Sequence, residues 1–164
     1  MEASKAESGG GYIDVSRVSP GELAGMASAL VLLGSLWLPW FMTNEGSKAK
    51  INGLAGEFTA WETFGILDWL LVAACSAPFI LTWIVMRGHS LTWRPGEVTM
   101  IVGITAFVLI LCNGVVLGKP GEVPAEVSFK YGYFVGLLAC IGLLVAGYLR
   151  QALYTDARKP PGVL

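Results

Sequence analysis

The hydrophobic positions of this chain fall in four long blocks, about residues 22–43, 64–86, 97–117 and 131–149, separated by short polar stretches. Within each block apolar residues run almost without interruption, whereas a helix lying on a soluble core would show a polar face. Each block approaches the ~20 residues that an α-helix needs to cross a hydrocarbon layer of ~30 Å. The pattern predicts an all-α, integral membrane four-helix bundle with antiparallel neighbours and spans at about 20–43, 60–86, 95–117 and 130–152. The loops, about 44–58, 87–94 and 118–129, leave no room for a soluble domain. Residues 1–18 and 153–164 frame the membrane domain of residues 19–152 as polar tails expected to be disordered.

The first block is expected to be a permanent span and not a cleaved leader. The residues before it are polar and mixed in charge, and "WLPWFMTN" follows it where a small-residue cleavage site would stand. Local signals then set the helix starts. In "SPGEL", Ser19 fits the N-cap, Pro20 the first helical position and Glu22 the third, a capping box; Pro95 and Glu97 of "RPGEV" fit the same positions. Capping explains this recurrence without a duplication of two-helix hairpins. Thr59 and Glu62 form a further box, which starts the second helix near Thr59.

Composition agrees with a membrane protein: 54% of the 164 residues are hydrophobic and only 14% charged, with a mean hydropathy of +0.62. A soluble domain is closer to a quarter charged. The net charge of −1 says nothing about partners, and no basic cluster points to nucleic acid. The basic residues set the orientation. Lys5, Arg17, Arg87, Arg94, Arg150, Arg158 and Lys159 lie on one side, against Lys48, Lys50, Lys119 and Lys130 on the other, which places both termini in the cytoplasm. The expected location is therefore a bacterial cytoplasmic membrane, crossed several times.

Candidate chemistry is sparse. Cys75, Cys140 and Cys112 fall inside spans and form no CxxC pair, so thiol–disulfide exchange lacks its reactive parts. His89 is the lone histidine and lies in a loop, which excludes bis-histidine haem ligation within one chain. No Ser-His-Asp set, metal motif or phosphate loop is present, so no catalytic residue, metal or cofactor is expected.

Ionisable groups inside the spans remain, because charge in a bilayer is costly and often functional. Capping and the helix dipole account for Glu22, Glu97 and Glu62. Asp68 is different: in a helix that starts at Thr59 it lies nine residues in, or about 13 Å along the axis. It shares a stripe with Trp61, Gly65 and Cys75, a face whose small residues admit a neighbouring helix. Asn113, Lys130, Tyr133, Trp37 and Trp40 are expected at similar depth. The set reads either as a hydrogen-bonded latch within an aromatic belt, or as an outward-facing site for a proton or a small cationic or polar ligand. The latch has the greater weight, since a boundary acid costs less than a central one. In the fourth span Gly132 and Gly136, continued by Cys140, form a close-packing surface of the GxxxG type.

The order "LPWF", a Gly-rich loop and "AWETFGILDWLL" resembles small four-span membrane proteins common in actinobacterial genomes. The likeness rests on Leu38, Pro39 and Trp40, then Trp61, Glu62, Phe64 and Asp68, and covers about residues 20–86 well. That family is of unknown function, so the resemblance implies fold and topology but no activity. The expected role is non-catalytic association, with a second copy or another membrane protein, within the lipid bilayer. The alternative is a small oligomeric transporter or ligand-binding protein built around Asp68.

Overall fold

A computed structural model describes residues 18–44, 48–87 and 95–156, and is mostly helical. In chain order the elements are α1 (Pro20–Ser35), β1 (Pro39–Thr43), β2 (Glu57–Thr59), α2 (Ala60–Thr63), α3 (Ile66–Met86), α4 (Pro95–Leu111), β3 (Val127–Phe129) and α5 (Tyr131–Asp156). A π-helical turn, Cys112–Val116, prolongs α4. Among the described residues three helices are long and apolar enough to cross a membrane: Ile66–Met86, Gly96–Val116 and Tyr131–Ala152. Residues 1–17 and 157–164 of the tails, and His89, lie outside the described residues, while the start of the second tail belongs to α5, which runs to Asp156.

Two expectations are corrected. The first helix does not run to residue 43. It starts on the expected box, with Ser19 N–H donating to Glu22 Oε2 (2.6 Å) and Glu22 N–H to Ser19 Oγ (3.4 Å), but it ends at Ser35 after 16 residues. Proline cannot donate a helical hydrogen bond and forces the preceding residue into extended backbone, so Pro39 turns the end of the apolar block into β1. The end of α1 is closed by its own sequence: Trp40 Nε1 donates to Ser35 O (2.7 Å), and Ser35 Oγ donates to Leu32 O (2.7 Å). The fold is also not purely α. β1 pairs antiparallel with β2 and with β3, giving a sheet in the order β2-β1-β3 that joins the first and third loops. Glu126 accepts from the backbone N–H groups of Lys48 (3.0 Å) and Ala49 (3.2 Å) and ties the same loops.

Four helices pack in a ring, α1 on α3, α3 on α4, α4 on α5 and α5 on α1. Small residues set the spacing. A Cβ on Gly147 would lie 2.7 Å from both Gly96 O and Met100 N, backbone atoms that cannot step aside. Gly147→Val is therefore expected to destabilise the chain by about 1–3 kcal/mol, the usual cost of overpacking. Gly34→Ala, at a position with nothing within 4 Å of an added Cβ, should leave it unchanged or slightly stabilised. Thermal melts of both variants in one detergent check this contrast. The outward faces are apolar: Leu23, Leu30 and Val31 of α1, Ile80 of α3, Ile104 of α4 and Leu138 of α5 are all exposed.

Candidate functional site

The sheet closes one end of the helix ring, and the second helix enters the ring beneath it. Thr59 starts that helix as expected: its N–H and Oγ1 donate to Glu62 Oε2 (2.8 and 2.9 Å), and Glu62 N–H reaches Thr59 Oγ1 (3.4 Å). The backbone N–H of Thr59, and then its hydroxyl, hold the exposed Glu62 carboxyl below its ordinary range. A depressed folded value stabilises above the unfolded value and is lost as pH falls through the folded one. Protection of the Thr59 amide against hydrogen exchange should thus persist at neutral pH and fall under acid, while Glu62→Ala removes it throughout.

The helix does not continue from this cap. It stops after one turn; Phe64 is extended (ψ 155°), and a new helix begins at Ile66. Phe64 is drawn toward the aromatic cluster under the sheet, with its ring 6.1 Å from that of Trp40 and 5.7 Å from that of Phe41. Asp68 consequently lies in the first turn of α3, not nine residues into a continuous helix. It belongs to the buried stripe of that helix with Leu67, Leu71, Cys75, Pro78, Leu81 and Thr82, while Trp69 and Ile66 face outward.

Asp68 is only 1% exposed, and neither carboxylate oxygen has a hydrogen-bond partner or contact with solvent-sized space. None of the expected partners reaches it. Asn113 Nδ2 donates to Leu109 O (2.9 Å) in its own helix, and Lys130 pairs with Glu57 (2.8 Å). Tyr133, buried between Trp40 and Phe129, aims its hydroxyl at Ile110 O (3.4 Å). Trp40 is buried and spends its N–H on Ser35, and exposed Trp37 packs on Trp61 (5.6 Å). Trp61 Nε1 is a second buried polar atom without a partner.

Magnitudes decide what this means. The dipole of α3 favours an acid in the first turn by about 0.3–1 kcal/mol, reaching about 2 in partly buried sites. Removing a carboxylate from water without a counter-charge costs several kcal/mol. The dipole does not offset that, so an ionised Asp68 is left uncompensated by the described residues.

Gly132 and Gly136 are taken up inside the chain. Added Cβ atoms would lie 2.6 Å from Trp40 Cδ1 and 3.0 Å from Trp40 Cζ2 respectively. Cys140 is fully buried in the same core, and nothing lies within 4 Å of a Cβ on exposed Gly65. Among the described residues no group of three or more His, Cys, Asp or Glu could hold a metal ion.

A second polar station stands at the opposite end of the ring, and the sequence reading did not join its members. Glu22, already a helix cap, forms a buried ion pair with Arg150 of α5; the residues are 4% and 8% exposed. Beside them Gly21, Gly25, Pro78, Thr82, Thr99 and Ala146 line a small cavity with room for about one water. Both charges sit at helix ends on the side where the start of α1 and the end of α5 come together, and that was the available signal. No protein family, curated protein or solved structure matches the chain.

Proposed function

We propose that this chain is a four-span integral membrane protein of a bacterial cytoplasmic membrane, both termini inside, whose outer end binds a proton at Asp68. Three sufficiently long helices support the membrane assignment, and α1 adds exposed Leu23, Leu30 and Val31 to the same apolar shell. At about 24 Å, α1 is shorter than a full span, and the turn and strand beyond it complete the crossing. The distribution of basic residues supports the orientation, and membership of the small actinobacterial four-span group is proposed with it.

One observation carries the proton-binding role: Asp68 is buried with both oxygens unpartnered. A proton needs one oxygen and no volume. A metal-like cation needs several oxygen ligands. The role is non-catalytic. At neutral pH Asp68→Asn is expected to fold and to keep or raise the melting temperature, and Asp68→Leu to raise stability by about 1–3 kcal/mol, because an unpaired buried polar group is removed. A clear loss of stability in both variants would mean that Asp68 has a partner in the chain and would overturn the assignment.

Association is the second role, favoured by the exposed apolar residues Trp37, Leu54, Ile66, Trp69 and Leu117 at the sheet end. Since Gly132 and Gly136 pack inside the chain, the contact with a second copy or another membrane protein uses this outer rim. Cross-linking in native membranes should then trap an oligomer or partner through the rim; a monomer throughout would remove this role.

A further inference from the structure

We infer that Asp68 exchanges its proton with the sheet side of the membrane alone, so that the chain responds to acidity on one face and does not conduct protons across. This rests on Asp68 as a proton site and adds the direction of access. The interior of the ring is polar, then apolar, then polar. Along α3 the buried stripe passes from Asp68 through Leu71, Cys75 and Pro78 to Thr82, beside the Glu22–Arg150 pair. Those fourteen residues amount to about 21 Å of helix. Facing them are Ala29 and Leu32 from α1, Ala106 and Ile110 from α4, and Cys140 and Leu143 from α5, all buried. Proton hopping needs donors and acceptors within about 3 Å of one another. The two thiols are weak donors at best, and the buried Ser35 and Thr82 hydroxyls donate to Leu32 O and Pro78 O within their own helices, so neither extends a relay through the middle.

Charged and titratable groups on the elements around α3 are engaged elsewhere. From α1, Glu22 is held by Arg150 at the far end, and from α4, Glu97 accepts from Gln151 (3.4 Å), also at that end. Cys75 lies on α3 itself and Cys140 on α5; Tyr133 of α5 is turned to Ile110 O. At the sheet, Glu57 pairs with Lys130, Glu62 with Thr59, Glu126 with two loop amides, and Lys119 with Val127 O.

The way out on the sheet side is short. Gly65 and Ile66 are exposed, three and two residues from Asp68, and Gly65 caps α3 without a side-chain hydrogen bond. A first helical turn leaves its N–H groups without intrahelical partners, and segments with few such bonds open locally at low cost. The break at Phe64 and Gly65 is therefore the hinge through which Asp68 meets water.

The test uses the full chain in lipid vesicles, its sidedness fixed by a protease-cleavable C-terminal tag, with tryptophan fluorescence and a luminal pH dye read together. An acid step on the sheet side is expected to change the fluorescence, a step on the other side to leave it flat, and luminal pH to follow protein-free vesicles. Asp68→Asn should abolish the fluorescence response. A proton flux lost in Asp68→Asn, or equal responses from both sides, would overturn one-sided access while keeping Asp68 as the site. No Asp68-dependent response from either side would overturn the site itself.

Discussion

Arg150→Met is expected to cost about 3–5 kcal/mol of stability, the penalty for stranding one member of a buried ion pair. Glu22 is 4% exposed, and its two oxygens have separate duties: one receives the Ser19 N–H that starts α1, and the other receives Arg150. Without the guanidinium, Glu22 keeps its cap and loses its counter-charge in a buried position. The same change in a Glu22→Gln background should cost much less, because glutamine still fits a capping box and brings no charge to compensate. Denaturation in detergent through the four-member cycle measures the difference. An Arg150→Met loss below about 1 kcal/mol would place the pair among exposed ion pairs, contrary to its burial.

Trp40→Ala should be of similar size, about 3–5 kcal/mol, as for other fully buried large side chains. The indole fills the junction of sheet and helices, with ring neighbours Phe64 at 6.1 Å and Tyr133 at 5.7 Å. Gly132 and Gly136 of α5 are shaped around it, so on that side no side chain is placed to refill the space. The bond from Nε1 to Ser35 O, which closes α1, is lost as well. Trp40→Phe keeps most of the volume and forfeits the bond, for a cost near ~1 kcal/mol from that term. Because Trp40 lies in β1, its loss should also loosen the sheet, and faster proteolysis between β1 and β2 would report it. Equal melting temperatures for Trp40→Ala and the parent would show that the ring is not the keystone of this end.

Local features of the fold were legible in the sequence. Hydrophobic blocks marked the long helices, and the Ser19–Glu22 and Thr59–Glu62 boxes placed two helix starts, because a cap is made within four residues. Pro39 was equally visible, yet the apolar run through Trp40 and Phe41 masked the switch from helix to strand. The sheet was not legible: its strands have three to five residues each, and β3 meets β1 across most of the chain. The same distance hid the pairing of Glu22 with Arg150. For Asp68 the sequence showed that a buried acid needs compensation, but not that Asn113, Lys130 and Tyr133 would each find a partner elsewhere. The break at Phe64 and Gly65 depended on packing against rings from another segment, which no local pattern records.

The protonation state of Asp68 tests the central claim most directly. Infrared spectra of the parent and of Asp68→Asn, in lipid at mildly acidic pH and with aspartate isotopically labelled, should differ by one carboxylic-acid C=O band, present in the parent and absent in the variant. A difference spectrum showing only the ionised carboxylate of Asp68 would contradict the account.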